Sequence, residues 1–495
     1  MDVVKPPSLQ NISEVRHFFR TNEVPIYVVG VAALVLLGLD RWVRNVVYVL
    51  HHDPWHGAHP QVFAPQVDRP PQELRHCLES VANWLLCHPE VRALMARGVG
   101  GGVRPKVVME FCNAQSEAIC AEFGYDLILP PASLRERLDS KLVATRLGNQ
   151  VGVPSVPNVL IRVNSFEALT VAARQAGLGA ELVVQQPYGH TGSTTYFLSS
   201  EADWQQYAEH IVGHNVKIMR RIKNRAVAVE AVLTRRGIVI SPVMSELVGY
   251  PELTLDRGGW CGNEIYPTVL TPVQREKALN YVRRLGLCLS REGYRGVFGV
   301  DFLIDVDTDE LYLGEINPRI SACATILHVS AGAYADLPLF LFHLLEYLDV
   351  DFALDIEEIN QRWQQLAAED IWSQMFIRET ADVVERLVAT APTGHYSCDG
   401  NGVPVYRGAG LDWYQLRDET EAFFLATSQV GDRCAPGTAL GKIVTRGRLQ
   451  QNAERGGWEL TMRARRFIES IRAQFAGTPW DEPELGPAPS MVGCQ

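Results

Sequence analysis

Short apolar runs alternate with helical patterns over the first 135 residues of the chain. Four runs rich in Val, Ile and Leu are typical of strands, and they cover residues 26–31, 46–50, 106–110 and 126–129. Helical patterns at residues 71–88 and 114–123 lie between them. Because strands that alternate with helices favour an open parallel sheet, residues 1–135 are predicted to form an α/β domain.

After residue 139 the pattern changes to a mixture of longer strands and helices. Helices are predicted at residues 140–150, 165–176 and 272–293. Strands are predicted at residues 156–161, 181–186, 216–221, 226–233, 237–242, 296–305 and 310–317. The polar, Gly-rich segments 187–195 and 249–267 are predicted to be loops. A second domain of the α+β type is therefore expected over residues 136–348.

The final third begins as a helix and ends in small β-structure. The helix is predicted at residues 335–348, and strands are predicted at 374–378, 402–406 and 422–427. A third, β-containing domain is expected over residues 349–475. Residues 476–495 are rich in Pro, Gly and Glu and are expected to be a mobile tail.

The composition is that of a globular protein without a nucleic-acid partner. Of the 495 residues, 47% are hydrophobic and 21% charged, and the formal net charge is −11. A chain of this length is expected to form about three domains, and its acidic balance argues against nucleic-acid binding, which needs a basic surface. One basic cluster, Arg220, Arg221, Lys223 and Arg225, is typical of a solvated strand edge or hinge. The ten cysteines form no CxxC pair, so reduced thiols are expected.

One apolar run, residues 24–39, resembles a membrane span. It is shorter than the roughly 20 residues that a spanning helix needs, and Pro25 and Gly30 interrupt it. A buried strand that runs into a buried helix is the better interpretation. The sequence therefore predicts no membrane partner and a cytoplasmic location.

The strongest chemical signal lies in the two strands predicted at 296–305 and 310–317. A tight acidic turn separates them, so they are expected to form a hairpin. Glu315, Asn317 and Arg319 share one strand face, and Asp301 can lie across from them. Two carboxylates and an amide oxygen suit Mg²⁺, and a guanidinium beside them suits a phosphate or a carboxylate. The alternative is a hairpin with a wet polar face; against it, Glu315 and Asn317 stand in an otherwise apolar strand, where unsatisfied polar groups are costly.

The loop at 187–195 is a second candidate for ligand binding. It follows a predicted strand and carries two glycines and several hydroxyl side chains. Backbone N–H groups and hydroxyls in such a loop can bind phosphates. The loop alone is weak evidence, since many turns have this composition; together with the acidic hairpin it is much stronger.

In this order the pieces resemble the ATP-grasp superfamily, in particular the branch of carboxylate–amine (peptide) ligases and biotin carboxylase. The resemblance covers about 180 residues, from Asp139 to Arg319. It implies a two-lobed ATP-grasp core, preceded by an open-sheet domain and followed by a β-containing cap. It also implies ATP and Mg²⁺ (or Mn²⁺) as cofactors.

The resemblance further implies a role for individual residues. Lys141, at the start of an early helix, would bind the nucleotide phosphates and take part in catalysis with Arg319. The flap over the phosphates corresponds to Gly189, His190, Gly192, Ser193 and Thr194. The adenine hinge corresponds to Met219, Arg220 and Ile222, and Glu230 takes the position of a nucleotide-site glutamate. Asp301, Glu315 and Asn317 would hold the metal.

Two departures from the family pattern affect the interpretation. The strand before the flap normally ends in a phosphate-binding lysine, and this chain has Gln186 there. Biotin carboxylases follow the arginine of the metal strand with a Gln and a Glu that handle bicarbonate; here the sequence from Arg319 to Thr325 contains neither. A biotinylation site of the Met-Lys-Met type is also missing from the sequence.

These observations favour an ADP-forming ligase that activates a carboxylate as an acyl phosphate for attack by an amine, forming an amide or peptide bond. Its substrates would be small molecules, of which amino acids or a short peptide are suggested by the branch resembled, and dimers are common in that branch. The acyl site is expected to be lined by Glu246, Trp260, Asn263, Glu264, Arg319 and Ser321, with Trp260 on a lid. A bicarbonate-activating enzyme of the biotin carboxylase type and a silent nucleotide-binding protein are the alternatives.

Overall fold

The computed structural model describes residues 8–480, except 72–73, 76, 99–102, 190–191, 193, 330–335 and 454–456. Within these residues the chain forms three main sheets and two small ones. No helix among them is both long enough and apolar enough to cross a membrane.

The N-terminal region is built on five parallel strands in the order β3-β2-β1-β4-β5. The strands are β1 (Ile26–Gly30), β2 (Val46–Leu50), β3 (Val62–Phe63), β4 (Lys106–Met109) and β5 (Asp126–Leu127). The helices are α1 (Ile12–Arg20), α2 (Leu78–Cys87), α3 (Pro89–Arg97) and α4 (Ala114–Phe123). The predicted open parallel sheet is confirmed, with its strands close to the predicted positions.

The helix predicted to follow β1 is wrong. Residues 31–38 form turns and bends, and only the short 3₁₀ helix Leu39–Arg41 follows them. Two features interrupt a helix here: Gly38 adopts a left-handed conformation, and the Tyr48 hydroxyl donates to the Leu36 carbonyl (2.9 Å). The apolar side chains of this segment are buried in the same core as the sheet, which explains its hydrophobicity.

A four-stranded antiparallel sheet forms the next unit, in the order β6-β9-β7-β8. The strands are β6 (Asn158–Arg162), β7 (Leu182–Gln185), β8 (Thr195–Leu198) and β9 (Asn215–Arg220). The helices are α5 (Ala132–Asp139), α6 (Lys141–Gln150), α7 (Phe166–Gln175) and α8 (Glu201–Ile211). Val216 and Ile218 of β9 share a core with Leu169 of α7 and Trp204 of α8. One face of this sheet is thus covered by helices.

The largest sheet has eleven strands in the order β15-β14-β10-β12-β13-β16-β22-β20-β18-β19, with β11 beside β10. Its first part contains β10 (Asn224–Thr234), β11 (Gly237–Ile240), β12 (Met244–Val248), β13 (Trp260–Ile265), β14 (Gly296–Asp305) and β15 (Leu311–Asn317). The helices of this part are α9 (Pro272–Arg291), α10 (Ala324–Leu327) and α11 (Phe340–Tyr347). Pairing of β13 with β16 carries the sheet into the C-terminal region.

The C-terminal region supplies the other strands of this sheet and two small sheets. Its elements are α12 (Ile356–Leu366), β16 (Trp372–Arg378), β17 (Glu385–Ala389), β18 (Gly394–Cys398), β19 (Pro404–Gly408), β20 (Glu421–Ala426), β21 (Arg433–Cys434), β22 (Ala439–Arg446), β23 (Gln450–Asn452), β24 (Trp458–Leu460), α13 (Met462–Arg472) and β25 (Ala476–Pro479). Strand β25 pairs with β17, so the first four residues of the predicted mobile tail are ordered. Residues 481–495 lie outside the described residues.

Close packing of β13 against β16 gives a prediction about stability. A Cβ atom on Gly262 would lie 2.0 Å from the backbone oxygen of Gln374. Gly262→Ala is therefore expected to lower the free energy of unfolding by about 2 kcal/mol, because the strand pairing must shift. Urea titration measures the change. Gly258→Ala is the control, since a Cβ there meets nothing within 4 Å, and equal destabilisation by both variants would contradict the prediction.

Candidate active site

The acidic hairpin brings its polar side chains together. Asp301 of β14 lies directly opposite Glu315 of β15, and Gly299 lies opposite Asn317. The Asn317 amide Nδ2 donates to Asp301 Oδ2 at 2.8 Å, and Arg319 donates to Asn317 Oδ1 at 2.9 Å. The four side chains predicted to form one small site are thus contiguous.

Carboxylates in this site are crowded. Burial raises the pKa of Asp301 well above its usual range, and the carboxylates of Glu246 and Glu315 raise it further. Burial and Glu315 also raise the pKa of Glu246, to about 8. Burial acts in the same direction on Glu315, but Lys141 and Arg319 outweigh it and lower the pKa of that carboxyl. Such a cluster favours an additional cation.

The donors of this cluster fit a divalent cation only when other ligands complete its shell. Among residues 8–480, outside the gaps given above, no three His, Cys, Asp or Glu side chains are arranged to hold a metal ion by themselves. Asp301, Glu315 and the amide oxygen of Asn317 offer hard oxygen ligands of the kind that Mg²⁺ accepts, while water and phosphate oxygens usually provide the rest. The hairpin is therefore a candidate site for Mg²⁺ bound together with a phosphate compound.

Lys141 connects this hairpin to the flap. It is the first residue of α6, its Nζ lies 3.0 Å from Glu315 Oε2, and the same Nζ donates to the Gly189 carbonyl at 2.9 Å. The flap itself turns back on itself: Thr194 Oγ1 donates to the Tyr188 carbonyl at 2.8 Å. Gly189 and Gly192 both have positive φ angles. Of the other flap candidates, His190 and Ser193 lie outside the described residues.

The predicted hinge lies in a small apolar cluster. Met219, at the end of β9, packs with Val156 and Val183, and Ile222 lies against the same cluster. Leu303 and Tyr312 of the acidic hairpin close it from the other side. The backbone N–H of Arg220 donates to the Pro157 carbonyl (3.1 Å), so the sheet already uses that donor.

A second polar region begins where Arg319 leaves the hairpin. The structure places Glu230 here, beside Ser321, whose N–H and hydroxyl both donate to Glu230 Oε1. The Arg319 guanidinium lies 5.0 Å from the centre of the Phe111 ring, and its Nε is buried without a hydrogen-bond partner in the described structure. Such a donor is available to an anionic ligand.

Glu110 is a residue of this region that the sequence did not single out. It directly follows β4, at the carboxyl edge of the parallel sheet, where open α/β sheets usually bind their ligands. Burial raises the pKa of Glu110 to about 7, although Arg319 and Lys442 oppose the shift. Its place after a buried strand was the available signal. Glu110 and Arg319, from different regions of the fold, thus lie near enough to interact electrostatically.

The predicted substrate loop is wrong in part. Trp260, Asn263 and Glu264 lie in β13, inside the large sheet, and Asn263 stands opposite Glu246 of β12. Glu264 is fully buried and accepts hydrogen bonds from the backbone N–H groups of Leu449 and Gln450. Glu264 therefore holds two segments of the fold together, and Trp260 belongs to a strand instead of a lid.

Comparison with solved structures identifies the fold, whereas no family model and no curated protein sequence matches the chain. N5-carboxyaminoimidazole synthase from Aspergillus clavatus, solved with ADP and 5-aminoimidazole ribonucleotide, superposes with a TM-score of 0.54 at 14% identity, over 86% of this chain and 94% of that one. The biotin carboxylase domain of 2-oxoglutarate carboxylase from Hydrogenobacter thermophilus, solved with MgADP and bicarbonate, gives a TM-score of 0.54 at 14% identity, over 86% of both chains. Biotin carboxylase from Campylobacter jejuni gives 0.55 at 12% identity, over 92% of both chains. The protein thus has the ATP-grasp fold, in the arrangement of biotin carboxylase that its sequence resembles.

Proposed function

We propose that the protein is an ATP-dependent, ADP-forming ligase that activates a carboxylate as an acyl phosphate and transfers the acyl group to an amine. The observation that carries this proposal is one connected group of polar side chains. Lys141 of α6 pairs with Glu315 of the acidic hairpin. In the same group Asn317 donates to Asp301 and accepts from Arg319. An idle nucleotide-binding protein would have no need of this combination of carboxylates, amide and cations. The silent alternative is therefore not favoured.

ATP would bind here with its adenine at the apolar cluster around Met219 and its phosphates toward Lys141. The flap lies beside this lysine, because the Gly189 carbonyl accepts a hydrogen bond from the Lys141 ammonium. The ammonium is then placed to move from Glu315 toward a phosphate oxygen. Proteins of similar fold have been solved with ADP or ATP, which supports a nucleotide as the ligand.

Asp301, Glu315 and Asn317 would hold Mg²⁺. When bound, this ion neutralises phosphate charge and orients the phosphoryl group for in-line transfer. Its binding would also relieve the repulsion that raises the pKa of Asp301 and Glu246. The residues therefore fit the ion by charge as well as by ligand type.

Arg319 is placed to bind the acid that is activated. The substrate carboxylate oxygen attacks the γ-phosphorus of ATP, the bond to the β–γ bridging oxygen breaks, and ADP leaves. The amine nitrogen then attacks the acyl carbon, the C–O bond to phosphate breaks, and phosphate departs. Glu110 interacts electrostatically with Arg319 and would take the proton that the amine must lose.

Bicarbonate as the acid is a second candidate, favoured by the proteins of similar fold. One was solved with bicarbonate and one with the amine 5-aminoimidazole ribonucleotide. Neither ligand supports amino acids or a short peptide as substrates, which the sequence suggested. An amine acceptor is common to both candidates and stays part of the proposal. A homodimer stays a prediction, although the Hydrogenobacter thermophilus domain is described as a dimer.

The test is Mg²⁺-dependent ADP release measured over a panel of acids and amines, offered singly and in pairs. The panel includes bicarbonate with each amine, and bicarbonate with biotin. Turnover that requires an acid and an amine together supports the ligase, and the active acid distinguishes bicarbonate from an organic carboxylate. Turnover with bicarbonate and biotin alone would replace the amine by biotin as acceptor. Nucleotide binding without turnover on any pair would contradict the proposal.

The proposed role of Glu110 gives a prediction about pH. Since burial raises its pKa to about 7, the carboxyl is protonated below that pH and cannot accept a proton from the amine. The rate of amine-dependent ADP release is therefore expected to rise as the pH passes through about 7. Glu110→Gln should lower this rate about 100-fold and remove the rise. An unchanged pH profile in the variant would show that another group accepts the proton.

A further inference from the structure

Lys217 is a buried cation that the sequence motifs did not assign to any role. It lies in β9, the second strand of the four-stranded sheet, between Leu160 of β6 and Gln185 of β7. Only 1% of its surface is exposed. A lysine this deeply buried is unusual unless it meets an anion.

Lys217 points to the side of its sheet that packs against the acidic hairpin. Side chains alternate along a strand, so Lys217 lies on the same face of β9 as Met219. Val216 and Ile218 lie on the other face. Val216 and Ile218 pack on the helix-covered side of the sheet, whereas Met219 packs against Leu303 and Tyr312 of the acidic hairpin. The lysine therefore enters the space between the sheet and the hairpin.

The charge of Lys217 is not balanced by a direct contact. Its ammonium has no hydrogen bond and no ion pair within the described part of the chain. Burial and the nearby Lys141 together lower the pKa of Lys217 to about 8, although Glu315 opposes the shift. Glu315 is already 3.0 Å from the Lys141 ammonium. Lys217 therefore has no carboxylate of its own, and its ammonium is available to an anionic ligand.

Gln186, which stands where the family pattern has a lysine, does not reach this space. Its amide Nε2 donates to the His210 carbonyl at the end of α8, on the helix-covered side of the sheet. Gln185 is on the face of the sheet toward the acidic hairpin and stands directly opposite Lys217. The neighbouring strand therefore supplies the cation that the end of β7 lacks.

We propose that Lys217, together with Lys141, binds the phosphate chain of the nucleotide. This inference rests on the proposed nucleotide site and adds to it a residue from a different strand. The base would lie at the apolar cluster around Met219, and Lys217, two residues earlier on the same strand face, would bind phosphate oxygens. The ligand class is a nucleoside di- or triphosphate.

The test compares two ligands, ADP and adenosine, on the full chain. Lys217→Met is expected to weaken ADP binding about 10- to 100-fold, the loss of one charged hydrogen bond, and to leave adenosine binding unchanged. Calorimetry measures ADP, and ligand-observed NMR measures adenosine. Gln186→Met is the matched control and should leave both affinities unchanged. The nucleotide-free Lys217→Met protein should also unfold at the same temperature as wild type or higher, because a buried unpaired charge is removed.

The outcomes separate this inference from the proposed function. ADP binding of wild-type strength by Lys217→Met would overturn the role of Lys217 and leave the ATP-dependent ligase intact. Parallel loss of ADP and adenosine binding would also overturn it, because the lysine would then only support the fold. If Lys217→Met does not fold, Lys217→Gln gives the same comparison. Failure of the wild-type protein to bind ADP would overturn the proposed function and this inference together.

Discussion

Glu315→Gln is expected to reduce Mg²⁺-dependent ADP release by about 10³-fold, equivalent to about 4 kcal/mol of transition-state stabilisation. Glu315 lies opposite Asp301 and ion-pairs with Lys141, so it belongs to both the proposed metal site and the proposed phosphate site. The amide has the same shape but offers no negative charge to a cation. Initial rates of ADP release at saturating substrates measure the effect.

Binding of nucleotide without metal separates this result from unfolding. In the variant Lys141 is released from its carboxylate, so ADP in the absence of Mg²⁺ should bind as tightly as to wild type, or more tightly. Asp307→Asn is the matched control, because Asp307 is an exposed carboxylate of the same hairpin, in the turn after β14. Loss of activity in both variants, or retention of activity in Glu315→Gln, would contradict the assignment of Glu315.

The acidic hairpin shows what the sequence predicts well. Its strands, Gly296–Asp305 and Leu311–Asn317, agree with the predicted bounds to within one residue, and Asp301 lies across from Glu315 as the alternation implied. Both signals are local: apolar alternation defines the strands, and the acidic turn defines the hairpin. The parallel sheet was predictable for the same reason.

Strand β13 shows what local patterns miss. Asn263 and Glu264 made its segment appear to be a loop, yet both are buried in the sheet. Asn263 accepts a hydrogen bond from Gln374, 111 residues away, and Glu264 accepts one from Leu449, 185 residues away. A polar residue such as Glu264 can occupy a buried strand when such partners satisfy it, and partners this distant leave no local pattern.

The sequence also missed site residues from other strands, because they meet the site only through contacts between distant parts of the chain. Glu110 directly follows a strand of the parallel sheet, and Lys217 lies in the four-stranded sheet. In the sequence each appears as an ordinary charged residue of a predicted strand. Only the packing of these sheets around the hairpin brings Glu110 near Arg319 and Lys217 near Lys141. Gln186 shows the converse, since it matches a motif position while its side chain faces α8.

Arg319→Met is expected to lower kcat/KM for the acid by about 10²- to 10³-fold while changing ADP affinity by no more than about 3-fold. The Arg319 guanidinium donates to Asn317, stacks near Phe111 and keeps a buried Nε without a partner. An acid substrate loses this donor in the variant. Steady-state rates with the acid varied at saturating ATP measure the effect.

Two further variants identify the source of the loss. Arg319→Lys should recover little, because an ammonium cannot reproduce the planar fork of a guanidinium. Arg283→Lys is the control, since Arg283 forms an ion pair with Glu357 at the surface and should change activity by less than about 2-fold. Removal of the guanidinium should also raise the pKa of Glu110 further, since Arg319 opposes the upward shift caused by burial. The rise of rate with pH would then move to higher pH in Arg319→Met; if the loss instead appeared only in the KM for ATP, Arg319 would belong to the phosphate site and the acid would bind elsewhere.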